Sequence, residues 1–222
     1  MKKKKTIIAA IVLLLVFLVG GAIAYFTDTD NATNIFTIGN VDIDLVEPNW
    51  DETDEDNNDV PDASQDLMPG ETVAKDPKIN NLSTANPAYV FAKVEVPCSK
   101  TVTIPGDTPT TLNPTELFTY TVNSAWTELS SAAVACTDSG TATHVYYYGT
   151  GGTLTPLAKA ANASTPTSTP ALFSEVTLLG TLISDQIPAT PTNKNVVVTG
   201  YGIQTEGLTS TAPADVWGNF SS

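Results

Sequence analysis

The sequence predicts an all-β fold, an antiparallel β-sandwich with long loops behind an N-terminal signal helix. Three observations carry this. Short runs rich in Val, Thr and Tyr recur through most of the 222 residues, Pro, Gly and Asn turn residues separate them, and no stretch after the leader keeps a long helical period. A chain of this length buries one substantial core, so one folded domain with loops is expected over residues 37–222.

The elements follow in order. Lys2 to Lys5, an apolar run from Ile7 to Val19, and the small residues Ala22 and Ala24 ahead of Tyr25 read as a secretory signal peptide over residues 1–24, cut after Ala24. The alternative is an uncleaved anchor, since about 20 apolar residues span a bilayer; the membrane is then touched only through that leader. From Phe36 to Val46, Val41, Ile43 and Leu45 alternate with Asp42 and Asp44, as in a half-buried strand. Ala88 to Val96 repeats the pattern, with Val90, Ala92, Val94 and Val96 on one face, and Pro97 ends it. Further strands are expected at 72–79, 118–123, 143–148, 174–179 and 196–204, with turns at Pro69-Gly70, Pro105-Gly106 and residues 149–152. Leu157 to Ala163 has the makings of a helical turn or two, residues 163–170 of a Ser/Thr/Pro-rich loop, and 214–220 of a short docked helix.

Charge excludes several classes of partner. The chain has no arginine, 10 lysines and 24 acidic residues, and the leader holds four of those lysines. Such an acidic surface argues against nucleic acid and anionic lipid, which select basic patches. No LPxTG-like sorting motif is found, so covalent wall anchoring is not expected.

Eight acidic residues crowd the loop 51–66. Asp54, Asp56 and Asn58 fall at positions 1, 3 and 5 of a calcium loop, with the Val60 carbonyl next, Asp62 at position 9, and Asp66 one residue beyond position 12. Asp59 stands where the turn glycine belongs and Gln65 where the bidentate carboxylate belongs, so Ca²⁺ binding and a merely solvated acidic loop both stand as readings. Calcium is the only cofactor indicated. Cys98 and Cys136 are the only cysteines; in an exported protein they read as one disulfide, with two free thiols as the alternative.

Enzymatic signatures are absent. His144 is the only histidine, His-Glu-x-x-His does not occur, and one histidine cannot build a histidine-based zinc site. His144 therefore reads as a packed or surface residue of a strand whose tyrosines, Tyr146 to Tyr148, serve both faces. Asp138-Ser139-Gly140 occurs once, whereas aspartic-protease chemistry needs two such carboxylates; it reads as a turn. No nucleophile elbow, P-loop or dinucleotide-binding glycine motif is present. The chain is not expected to be an enzyme.

The leader running into Tyr25-Phe26-Thr27-Asp28, followed by Asn34-Ile35-Phe36-Thr37-Ile38-Gly39-Asn40-Val41-Asp42-Ile43, resembles the TasA/camelysin family of Gram-positive proteins with SipW-type signal peptides. Leu67-Met68-Pro69-Gly70-Glu71, Asn86-Pro87-Ala88-Tyr89-Val90 and Thr199-Gly200-Tyr201-Gly202 add to the likeness. The resemblance implies a jelly-roll-like sandwich, export through a SipW-type signal peptidase, and a place in the extracellular or biofilm matrix or on the cell surface. It further implies a fibre or accessory subunit that associates with itself or with a homologous matrix subunit. Residues 25–36, with Tyr25, Phe26, Ile35 and Phe36 as anchors, would be an assembly strand given to a neighbour's sheet edge; the alternative is pairing within their own domain. Two other functions stand beside this one: a monomeric calcium-binding or adhesive surface module, and a camelysin-like peptidase.

Overall fold

The structure, a computed structural model, is described here over residues 41–50, 53, 55, 61–188 and 195–220. The chain divides into residues 1–38 and residues 39–222. The first unit lies outside the described residues, and with it the signal helix and the assembly segment 25–36.

The second unit is built almost wholly from antiparallel strands, as the strand-and-turn pattern predicts. Its central layer holds β4 (Ala88–Pro97), β9 (Thr141–Thr150), β10 (Thr153–Leu154), β13 (Val197–Gln204) and β8 (Trp126–Glu128), in the order β10, β9, β4, β13, with β8 also pairing β9. Facing it are two three-stranded sheets. One orders β1 (Ile43–Val46), β3 (Lys78–Asn81) and β11 (Thr167–Ser168); the other orders β2 (Thr72–Ala74), β12 (Glu175–Leu178) and β7 (Phe118–Thr119). A separate hairpin joins β5 (Val102–Ile104) to β6 (Thr110–Leu112).

The main core lies between the layers. Val90, Ala92, Val94 and Val96 are all buried, as their alternation requires, and they pack with Ile79, Phe118, Val176 and Leu178 from the facing sheets and with Phe173 just ahead of β12. The opposite face of β4 is not left to water. Phe91 is fully buried with Val145, Tyr147 and Val216, because the helix α1 (Pro213–Gly218) docks there, with Trp217 and Phe220 against Phe91 and Tyr201. Pro213 opens α1 at a position where its missing N–H costs nothing.

Four local expectations are corrected. The strand expected over 72–79 is two strands in different sheets, broken at Lys75-Asp76-Pro77, where Pro77 supplies no N–H to continue a ladder. The strand expected over 118–123 pairs at Phe118 and Thr119 alone. Leu157 to Ala163 makes no helix; Leu157 exchanges backbone hydrogen bonds with Ala88, and Ala160 N–H donates to Ser83, so long-range pairing overrides the local preference. The Ser/Thr/Pro segment is stitched into the sandwich: β11 pairs β3, and the hydroxyl of buried Thr169 accepts from Ile79 N–H.

Candidate functional site

The corner between β1 and β13 is where the described fold begins, and its geometry rests on two glycines. Gly200 and Gly202 face the interior, and a Cβ on Gly202 would stand 2.7 Å from Ile43 Cγ2 and 3.3 Å from Val41 Cγ1. Glycine in a strand marks a close approach. Here the approach is that of the first strand, whose Val41, Ile43 and Leu45 are half-buried while Asp42 and Asp44 face solvent. β13 pairs with β4 along all eight residues and, among the described residues, with no strand on its other side.

At the far end of this corner, Leu45, Glu47, Trp50, Lys75 and Val196 to Val198 line an open cavity of about 400 Å³. Lys75 Nζ lies 4.8 Å over the Trp50 ring and 2.8 Å from Glu47 Oε2, so its charge is met on both sides. Next to it the buried Asp76 carboxylate accepts from the Asn49 backbone N–H at 2.7 Å and from its side chain at 2.9 Å, and pairs with Lys78. The ends of β1 and β3 are thereby pinned just ahead of the acidic loop.

Of the calcium-loop residues, Asp54, Asp56, Asn58 and Val60 lie outside the described residues. Asp62 accepts from the Gln65 side chain at 3.0 Å and more distantly from Glu55 N–H, and its own N–H donates to Thr53 O at 2.7 Å. Asp66 takes the left-handed backbone conformation. No group of three or more metal-ligating side chains occurs among the described residues.

Cys98 and Cys136 are joined as a disulfide. Cys98 is fully buried at the end of β4, and the segment after it is a junction: Cys98 N–H donates to Gly140 O, Ser99 N–H to Thr115 O, Ser139 N–H to Ser99 O, and Thr101 N–H to the Asp138 carboxylate. Asp138-Ser139-Gly140 is thus a turn that serves this junction, with Ser139 at positive φ.

Sequence reading did not find the polar cluster around His144. The imidazole lies between two carboxylates, Nε2 at 2.8 Å from Glu116 Oε1 and Nδ1 at 2.7 Å from Glu128 Oε1. Tyr120 and Tyr146 share a hydroxyl hydrogen bond of 3.1 Å beside it. The Glu116 bond is the main reason the His144 pKa is raised to about 9; burial opposes the rise and Glu128 reinforces it. Burial pushes the Tyr146 hydroxyl up to about 12 and the Tyr120 hydroxyl higher still. The partners are 28 and 16 residues from His144, and no motif spans them. The one local signal is that Glu128, two residues after the core-facing Trp126, shares its side of β8.

The fold and these features define a class: an acidic, disulfide-linked, all-β sandwich-like protein. Residues 1–103 match the family model described as camelysin metallo-endopeptidase, which supports the likeness to the TasA/camelysin family carried by the N-terminal motifs. No curated protein and no solved structure matches the chain.

The family's description implies a metal, and the histidine present does not fit one. Zinc is held by neutral imidazole nitrogens, cysteine thiolates or carboxylates. Here the single imidazole has both nitrogens bonded to carboxylates, which favour its protonated form, and both cysteines are spent on the disulfide.

Proposed function

We propose that this is a secreted structural protein of the cell surface or extracellular matrix of a Gram-positive bacterium, a fibre or accessory subunit that assembles by strand exchange rather than acting as an enzyme. The observation that carries the reading is the β13 edge: eight residues with no partner strand on one side among the described residues, next to the point where the chain enters the fold. An open edge of that length is a template for another strand. Residues 25–36, about 40 Å when extended, exceed the roughly 27 Å of an eight-residue strand. Tyr25, Phe26, Ile35 and Phe36 are the side chains that would fill the receiving subunit's groove. Removal of the leader after Ala24 would release this segment, which ties assembly to export.

The test is negative-stain microscopy of protein beginning at Tyr25, with and without calcium, beside protein beginning at Phe36. Fibres from the first and not the second are expected. Monodisperse particles from both would leave a solitary surface module, and a calcium-dependent rise in thermal stability would then assign the acidic loop 51–66 its ion. Casein turnover abolished by chelation would overturn the non-enzymatic reading and restore the activity in the family's name.

A further inference from the structure

We propose that Glu116, His144 and Glu128 form a pH-sensitive clasp that holds the edge strand β7 in place across the core, and that alkaline pH releases it. Leu117 and Phe118 anchor this segment in the core, and Leu117 N–H donates to Pro97 O while its carbonyl accepts from Leu179 N–H, but β7 itself is short as a strand. Its ladder is two residue pairs, Thr119 with Thr177 and Phe118 with Leu178, at the edge of the sheet β2, β12, β7. Both flanks of β7 are instead tied by side chains to the opposite layer. Glu116, two residues before it, bonds His144 on β9, and Tyr120, directly after it, bonds Tyr146 on the same face of β9.

Proton counting makes the clasp conditional. A carboxylate only accepts, so an imidazole bonded to carboxylates at both nitrogens must donate from both, which only the imidazolium can do. A neutral ring keeps one N–H, so one carboxylate faces a lone pair and two negative charges lose the cation between them. The titratable groups meeting His144 are Glu116 from the segment before β7, Glu128 from β8, Tyr120 from the segment after β7 and Tyr146 from its own strand. The two tyrosine hydroxyls have pKa values raised by burial and stay neutral throughout.

The sign follows from linkage. The His144 pKa is raised to about 9 in the fold, against about 6.5 in the unfolded chain, so the clasp contributes fully below pH 6.5 and is lost as pH rises through 9. Release loosens β7 along the β12 edge, a second strand template distinct from β13. The proposal does not rest on the strand-exchange reading.

Because His144 is the only histidine, its ring signals in a proton NMR titration of the full chain are unambiguous. A midpoint near 9 is expected, and one at or below 6.5 overturns the clasp even if every variant fails to fold. Hydrogen exchange of peptides covering 116–122 and 174–179, corrected for intrinsic rate, reads the release. Protection there should fall at least tenfold between pH 7 and 10 while residues 88–97 hold theirs. His144→Gln should show the loss already at pH 7. His144→Arg, which donates at every pH in the range, should keep protection at pH 10. Protection indifferent to pH, or lost equally in β4, refutes the proposal.

Discussion

Reducing the Cys98–Cys136 bond should lower stability by about 4 kcal/mol, the chain-entropy value for a loop closed over 38 residues. The loop contains the hairpin β5–β6, then β7 and β8, so both carboxylates that meet His144 lie inside it. The native state itself should survive reduction. The junction beside the disulfide keeps its backbone bonds from Cys98 to Gly140, Ser99 to Thr115 and Ser139 to Ser99, and Leu117 N–H still donates to Pro97 O. The effect then falls chiefly on the unfolded chain, which gains conformations once the cross-link is cut. For a domain of this size, about 4 kcal/mol corresponds to a Tm lower by roughly 8–16 °C. The assay is urea unfolding followed by tryptophan fluorescence, with and without dithiothreitol, and thiol titration to count sulfhydryls before and after. Cys98→Ala combined with Cys136→Ala should reproduce the reduced state and become insensitive to reductant. A shift below about 1 kcal/mol with both thiols freed would refute the reasoning, because the loop would then cost the unfolded chain almost nothing to close.

The other predictions are local. Gly202→Val places a branched side chain where a Cβ alone meets Ile43 Cγ2 at 2.7 Å, and should cost about 1–3 kcal/mol in urea unfolding by overpacking the β1–β13 corner; an unchanged midpoint would mean β1 is not seated there. Asn81 is fully buried, its amide donating to Asn86 O at 3.1 Å and Ala158 O at 3.2 Å while its carbonyl accepts from Ser83 N–H at 3.0 Å. Asn81→Ala strands those groups and should cost about 2–3 kcal/mol, with a loss under half a kcal/mol contradicting the network.

The sandwich was legible because its chief strand declares itself. β4 alternates over ten residues, and burial follows that alternation on the core face, so period and burial agree. What was not legible shares one cause, since it depends on partners far away in sequence. β11 has two paired residues and no period to detect; it is a strand only because β3 offers an edge at Asn80 and Asn81. Leu157 has no local reason to be extended, but Ala88 presents both a donor and an acceptor to it. The Phe91 face of β4 gives no sign of which element will cover it until α1 is placed. The candidate site divides in the same way. Gly200 and Gly202 were visible as glycines in a strand but not as the seat of β1, whereas the cluster around His144 joins three segments that no spacing rule connects.

That last point bears on the family's described activity. A histidine used as a ligand needs a neutral ring and a free lone pair, and here neighbouring carboxylates favour the opposite state. Restoring a metal-binding histidine would mean removing Glu116 or Glu128, and that also removes a tie to β7 or to β8. The arrangement that unfits His144 for zinc is thus the same one that the proposed clasp uses to tie the two layers. Glu116→Gln separates the two roles: it should bring the His144 pKa down from about 9 toward its ordinary value, since the Glu116 bond is the largest cause of the rise, while the Cys98–Cys136 bond stays intact. A histidine that still titrated near 9 in that variant would show that its charge is held by something other than the Glu116 carboxylate.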